Sequence, residues 1–474
     1  MKNKLKFHGI KCLSGILLLL LLISCKSEPE FSLIDVKVTV ASHYQGAEAT
    51  IIQLTDHYFP RRYSNFQKDS RKDAAAFAEF LAFKHNIPLH VFEETGKWDE
   101  FEDFLNTGRG GASVYYPSCF KDYSLAELNS IISEIENVYG RRPTTLSYGC
   151  GKTEYTDSLP NYILGGRNSS APFSKFNQVA NTWYGQNCGN DLEVDFSKTK
   201  NLINRPAGGR FYSEIQRYGA SYEEASLYVI DQVTESINTS GFYTNFMHWH
   251  DYYTNKEGDT IEGVKVMPYL FQALEKGIGD NHTAKIDYNE AIEYLYAKEA
   301  IDSVYLSKNA ESKFKINLIF KKTRPIDYSV IKTPITLIFS KKSIQELGGK
   351  AISFESDYGL GVVKDSSNFY VNIPLDLSKE SNSVRIDLID SEENIEVSFQ
   401  KPNLKKKGNN TIISTTASKF VVFRRKKEAP EYEIEIVDRE FNYSKEFQFK
   451  GFEEGYDYFC GAINKQRESS LIAF

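Results

Sequence analysis

Two of the chain's eight histidines sit in one short run, Phe246-Met247-His248-Trp249-His250-Asp251-Tyr252. Imidazole titrates near neutrality, so such groups move protons or hold metal ions. The run closes an apolar, strand-like segment, and strand ends are where α/β enzymes keep their chemistry. Three chemistries are open to residues at such ends. His57, Cys119 and Cys150, with His248 or His250, would offer zinc a set of imidazoles and thiolates. Asp56, His57 and His250 would serve as acid and base without a metal. Asp56 with Glu93 and Glu94, or with Glu154, would supply the two carboxylates of a glycoside hydrolase. The zinc set competes with a plainer use of its thiols, a Cys119 to Cys150 disulfide in an oxidising compartment.

The elements that must position these residues alternate between strand and helix. Ala49-Thr50-Ile51-Ile52-Gln53-Leu54 reads as a buried strand, residues 71–85 as a helix, 88–92 as a strand, 97–105 as a helix and 112–116 as a strand. Ser124 with Glu127 forms a capping box ahead of an apolar stripe of Leu128, Ile131, Ile132 and Ile135, and Gly140 stops that helix. A strand at 144–148 follows. Ser221 with Glu224 repeats the pattern and leads through Gly241 to the strand that ends in the histidine run. Residues 288–306 read as a helix closing this unit, which spans 45–306. Repeated βα units imply a parallel sheet or barrel. From 310 to 474 the apolar period drops to two, as in Phe314, Ile316, Leu318 and Phe320, or Tyr432, Ile434 and Ile436. The fold class is therefore α/β, a parallel sheet or barrel followed by a C-terminal β-sandwich domain, either one sandwich or two smaller units.

At the other end, Lys2, Lys4, Lys6 and Lys11 precede an apolar run from 15 to 23, the pattern of a secretory signal. Leu22-Ile23-Ser24-Cys25 resembles a bacterial lipobox, which makes 1–25 a lipoprotein signal peptide and Cys25 the lipidated mature N-terminus. Residues 26–44 then read as a tether and first strand, and the chain is expected in the cell envelope, anchored to the outer membrane on its periplasmic or cell-surface face. A net charge of −6 over 474 residues gives no electrostatic footprint for nucleic acid. Lys405-Lys406-Lys407 and Arg424-Arg425-Lys426-Lys427 read as solvated turns. Four cysteines remain beyond the signal, Cys119, Cys150, Cys188 and Cys460, a number that permits two disulfides or free thiols. Aromatic residues make up 14% of the chain, which suits ring stacking on sugars and large β cores alike.

The order of these elements resembles the polysaccharide deacetylase family, carbohydrate esterase family four. Residues 49–57, ending Thr55-Asp56-His57, look like its opening strand, which closes on a pair of aspartates. Residues 85–92 look like its second strand, and 108–128 take the place of its histidine-bearing loop and capped helix. Arg142-Pro143-Thr144-Thr145-Leu146-Ser147-Tyr148-Gly149 resembles its Pro-aromatic-Gly strand end. Gly165-Gly166-Arg167-Asn168 resembles its Arg-containing strand end, and His248-Trp249-His250-Asp251 its closing histidine motif. The resemblance implies a deformed (β/α) barrel of that family's type and hydrolysis of acetyl groups from a polysaccharide or oligosaccharide. It implies Asp56 as general base with Arg167 beside it, His250 as general acid, Tyr148 near the oxyanion, and His57 in place of a metal-binding aspartate.

The chain departs from the family at the metal. The two family histidines fall near Ser113 and Pro117, neither a competent ligand, and no His-x-x-x-His pair occurs. A divalent ion such as zinc would need other ligands. The alternatives are metal-free chemistry on a glycan, or a degenerate site that binds glycan through aromatics such as Tyr115, Tyr116, Trp249, Tyr252 and Tyr253.

Overall fold

A computed structural model of the protein describes residues 31–56, 70–93, 99–108, 110–116, 124–149, 158–168, 175–177, 182–184, 192–193, 202–204, 221–248, 262–354, 361–431, 433–440 and 446–474. At its centre is a curled sheet of nine strands: β1 (Ala49–Asp56), β2 (Leu89–Glu93), β3 (Gly110–Tyr115), β4 (Thr145–Tyr148), β5 (Gly165–Asn168), β6 (Leu192–Glu193), β7 (Leu202–Asn204), β8 (Phe242–His248) and β9 (Thr283–Ala284). Their spatial order is β6-β7-β5-β4-β3-β2-β1-β8, with β9 also paired to β1. All neighbours run parallel except β6 with β7. The order does not close on itself, so among the described residues the sheet is a half-barrel.

Local chemistry explains where the helices start and stop. In α3 (Leu125–Tyr139), Ser124 Oγ accepts from the Glu127 amide and the Glu127 side chain bonds back to Ser124, while Gly140 closes the helix at φ 67°. In α4 (Tyr222–Asn238), Ser221 and Glu224 make the same box. Together with α1 (Ser70–His85), α2 (Asp99–Asn106) and α5 (Glu262–Ile278), these helices cover one face of the sheet. The other face is filled by α6 (Tyr288–Ala300), whose buried capping box is Asp287 with Glu290. Gly111 permits that approach, since a Cβ there would lie 2.5 Å from Asp287 Cγ. Among the described residues no helix is long and apolar enough to cross a membrane.

The helix expected over 288–306 ends at Ala300. From Ile301 the period changes to two, and Ile301–Asn309 is a strand that pairs antiparallel with Phe314–Phe320. The expected break at 306–310 therefore falls inside a hairpin. The segment expected to be a tether and first strand also serves the downstream sheets. Phe31–Ile34 pairs with Ile301–Asn309, and Thr39–Val40 with Ile335–Ser340. Those strands head two five-stranded sheets that share one apolar core with α6 and the concave face of the half-barrel.

The last 75 residues build a second β layer elsewhere. Strand Ala417–Lys426 alternates: Phe420 and Val422 enter a small core with Ile412 and Phe447, while Val421 and Phe423 enter the helix-side core of the half-barrel. Phe423 and Phe459 meet Phe80 edge to face at 5.4 Å, and Arg439 grips buried Glu79 with two hydrogen bonds of 2.6 and 2.8 Å. The downstream β structure thus clasps the half-barrel from two sides. Cys460 is buried and free in this layer, which removes the two-disulfide pattern. The basic runs are strand residues as far as Lys406 and Lys426, with only Lys407 and Lys427 beyond the strand ends. Arg424 pairs with Glu435 and Glu453, and Arg425 with Asp457.

Candidate functional site

Strand register brings two of the predicted residues, Asp56 and Arg167, together at the carboxyl ends of the half-barrel. Asp56 ends β1, opposite Phe92 on one side and position 248 on the other. Arg167, opposite Ser147, reaches across the concave face. One guanidinium nitrogen, Nη2, donates to both Asp56 Oδ2 and Ser147 Oγ. Asp56 and Arg167 are 1% and 0% exposed. The guanidinium lies 4.0 Å from the ring centre of Phe246 and 5.7 Å from that of Phe92, so aromatic faces supply part of its solvation. Among the described residues its Nε and Nη1 have no hydrogen-bond partner. An ion pair taken this far from water is held by geometry, because desolvating both charges offsets much of their attraction.

Beneath it lies a polar layer that the sequence reading did not foresee. Asn289 of α6 accepts through Oδ1 from Ser113 Oγ at 2.8 Å, Thr145 Oγ1 at 2.7 Å and the amides of Thr144 and Thr145 at 3.1 Å. Its Nδ2 donates to the Ala112 carbonyl at 3.0 Å. Ser113 is fully buried in this layer, so the residue at the family's metal position is engaged in binding α6. Among the described residues no three His, Cys, Asp or Glu side chains converge. A guanidinium on Asp56 Oδ2 competes with a cation for the same oxygen. The described residues therefore do not fit a metal triad.

Other expectations are redistributed by strand alternation. Because Ser147 faces Arg167, Tyr148 points to the opposite side, where it is fully buried in the helix-side core against Gly166. It is not at the oxyanion. Glu93 likewise follows Phe92 and falls on the other face from Asp56, which removes Glu93 from the carboxylate pairing expected of a glycoside hydrolase. Tyr115 does share the concave side, 4% exposed, whereas Tyr116 joins the helix-side core. His57, Cys119, Pro117, Cys150, Glu94, Glu154, Trp249, His250, Tyr252 and Tyr253 lie outside the described residues, as does Cys25. β8 ends at His248. Ser147, Phe92, Phe246 and Asn289 are the contributors the sequence reading missed. The period of two at Ser147-Tyr148 was the available signal for the first.

At the opposite, amino-terminal end of the strands is a buried charge network. Arg141 bridges Glu290 at 3.0 Å and Glu293, Arg467 grips Glu290 from the last β layer, and Tyr139 donates to Asp287. Burial raises the Asp287 carboxyl, reinforced by the neighbouring Glu290 charge, while Arg467 and Arg141 outweigh burial at Glu290 and depress it. Ends of this kind carry stability, and chemistry sits at the other.

His90 is fully buried in the same region, its Nδ1 accepting from the Tyr288 amide at 3.3 Å. Burial, against which the Glu290 charge is insufficient, lowers its pKa to about 3. The folded state thus holds it neutral while the unfolded chain protonates below about 6.5. Its contribution is complete above that value and is lost as pH falls toward 3, at about 1.4 kcal/mol per unit. Urea unfolding at pH 7 and pH 5 should show this group costing wild type about 2 kcal/mol, a component absent from the pH dependence of His90→Gln.

No family model matches the chain, and no curated protein does. Among solved structures, a tri-modular GH5 (subfamily 4) endo-beta-1,4-glucanase from Bacillus licheniformis is similar at 10% identity and a TM-score of 0.16, over 89% of this chain and 82% of that one. The same enzyme complexed with cellotetraose gives the same identity and score over 81% of its chain. A TM-score this low carries no argument about fold or function.

Proposed function

We propose that this chain is a lipid-anchored envelope protein that acts on a glycan, and that its half-barrel, the acting part of a polysaccharide deacetylase-type barrel carried on β-sandwich modules, hydrolyses acetyl groups. The observation supporting this reading is the buried Asp56–Arg167 pair at the carboxyl ends of β1 and β5. Two residues 111 positions apart, assigned to one catalytic group by their motifs, meet in space. In the reaction, Asp56 accepts a proton from water as its oxygen attacks the acetyl carbonyl carbon. The bond from that carbon to the sugar nitrogen or oxygen then breaks, and His250 gives its proton to the departing amine or alkoxide. Arg167 and Ser147 orient Asp56, and Tyr115 and Phe92 wall the site. Acetate and a free amine or hydroxyl result.

Acetate release from a panel of acetylated polysaccharides tests this. Asp56→Asn and His250→Ala are each expected to lower the rate about 10²–10⁴-fold; unchanged rates in both remove these residues from catalysis. Stoichiometric zinc in elemental analysis of the active protein would instead move the reaction to a metal held by His57 and neighbours. A second reading, glycan binding without turnover, draws on the neutralisation of Asp56 by a sealed guanidinium. It predicts retardation in affinity electrophoresis with neither acetate nor new reducing ends.

A further inference from the structure

The outer face of the sheet headed by Phe31–Ile34 has an unusual surface. Leu33 is 73% exposed and Tyr305 36%. With Phe31, Ser307 and Asn317 they line a concavity of about 540 Å³. The strand is the sheet's edge, paired on one side alone to Ile301–Asn309. Alternation puts Phe31 and Leu33 on the outer face while Ile34 packs inward on the shared core. Lys315 stands on that face with its ammonium 4.2 Å above the Phe31 ring, opposite Arg385, and Lys313 lies at the adjoining turn, paired at 2.7 Å with the exposed Glu311. The polar groups of the concavity are already engaged. Asn317 donates to Ser307 at 2.9 Å and accepts from Ser383 at 2.8 Å. Exposed leucine, aromatic rings and long basic side chains, over internally satisfied polar groups, are the composition of a membrane interface.

Chain length selects the same occupant. Phe31 is six residues from Cys25, a span of at most about 20 Å when fully extended. The strand that begins there is fixed by pairing to the body of the protein. We infer that this sheet face lies against the anionic bilayer that holds the Cys25 lipid, with Phe31, Leu33 and Tyr305 at headgroup depth and Lys313, Lys315 and Arg385 among the phosphates. This rests on the lipoprotein reading above. The docked face would also fix which way the half-barrel points.

The test uses the full-length lipoprotein in vesicles of phosphatidylethanolamine and phosphatidylglycerol, compared with the same protein in detergent. Amine acylation is read by mass spectrometry. Lys313 and Lys315 should label at least fivefold more slowly in vesicles, Lys426 and Lys427 on the other β layer at an unchanged rate, and Leu33→Glu with Tyr305→Ser should restore labelling. Leu33→Phe should retain the protection. A chain whose N-terminal peptide carries lipid on Cys25, yet whose Lys313 and Lys315 label equally in both settings, overturns the docking and leaves the anchor intact. A peptide without lipid overturns both. Protection by soluble oligosaccharide in detergent would assign the face to glycan and also overturn it.

Discussion

Asp56→Asn is expected to cost about 3–5 kcal/mol of folding stability, because it leaves the Arg167 guanidinium buried without its counter-charge. Arg167→Met alone should cost a comparable amount by removing the guanidinium charge from beside the buried carboxylate. The double variant is expected to return to within about 1–2 kcal/mol of wild type, since a thioether of similar reach can fill the space between Phe246 and Phe92 that the guanidinium occupies. Urea unfolding of the four proteins closes the cycle. Activity should not follow stability. Acetate release stays lost in the double variant if Asp56 is the base, and a double variant that regains both would mean the pair serves the fold alone.

The second large effect lies at Glu293, on α6. Its Oε2 accepts from the amides of Lys332 and Thr333 at 2.8 and 3.0 Å, from Thr333 Oγ1 at 3.0 Å and from Arg141, and its Oε1 from Thr144 Oγ1 at 3.0 Å. One buried carboxylate thereby joins the half-barrel to the connection between two β sheets. Glu293→Ala leaves these donors without an acceptor and should destabilise by about 3–5 kcal/mol. Hydrogen exchange locates the damage: protection at Lys332 and Thr333 is expected to fall first, ahead of strands β1 to β4. Equal loss across the sheet would mean that α6, and not this joint, is the element that fails.

The parts of the fold legible in the sequence were those decided over a few residues. The capping boxes at Ser124 and Ser221 depend on contacts three positions apart, and both formed as read. The switch from strand-and-helix alternation to a period of two was legible for the same reason. It was placed about six residues late, because the apolar residues after Ala300 suit either period over so short a stretch. Faces were harder. Ser147 and Tyr148 are neighbours, and which of them enters the concave side is fixed by register with β5, a pairing no local pattern contains. The role of Ser113 was hidden likewise, since its partner Asn289 lies 176 positions away.

Legible without any structure was an inventory: a set of strand-ending polar residues, the helices between them, and a basic then apolar stretch ahead of Cys25. Period and capping are local energies, so they survive without a structure. Only the tertiary structure decided which of those residues meet. It joined Asp56 to Arg167, turned Tyr148 and Glu93 away, and set Asn289 beneath the site. It also divided the downstream strands between two flanks of the half-barrel. Such choices follow from burying one face of each element against another, and that pairing exists only once the chain is folded.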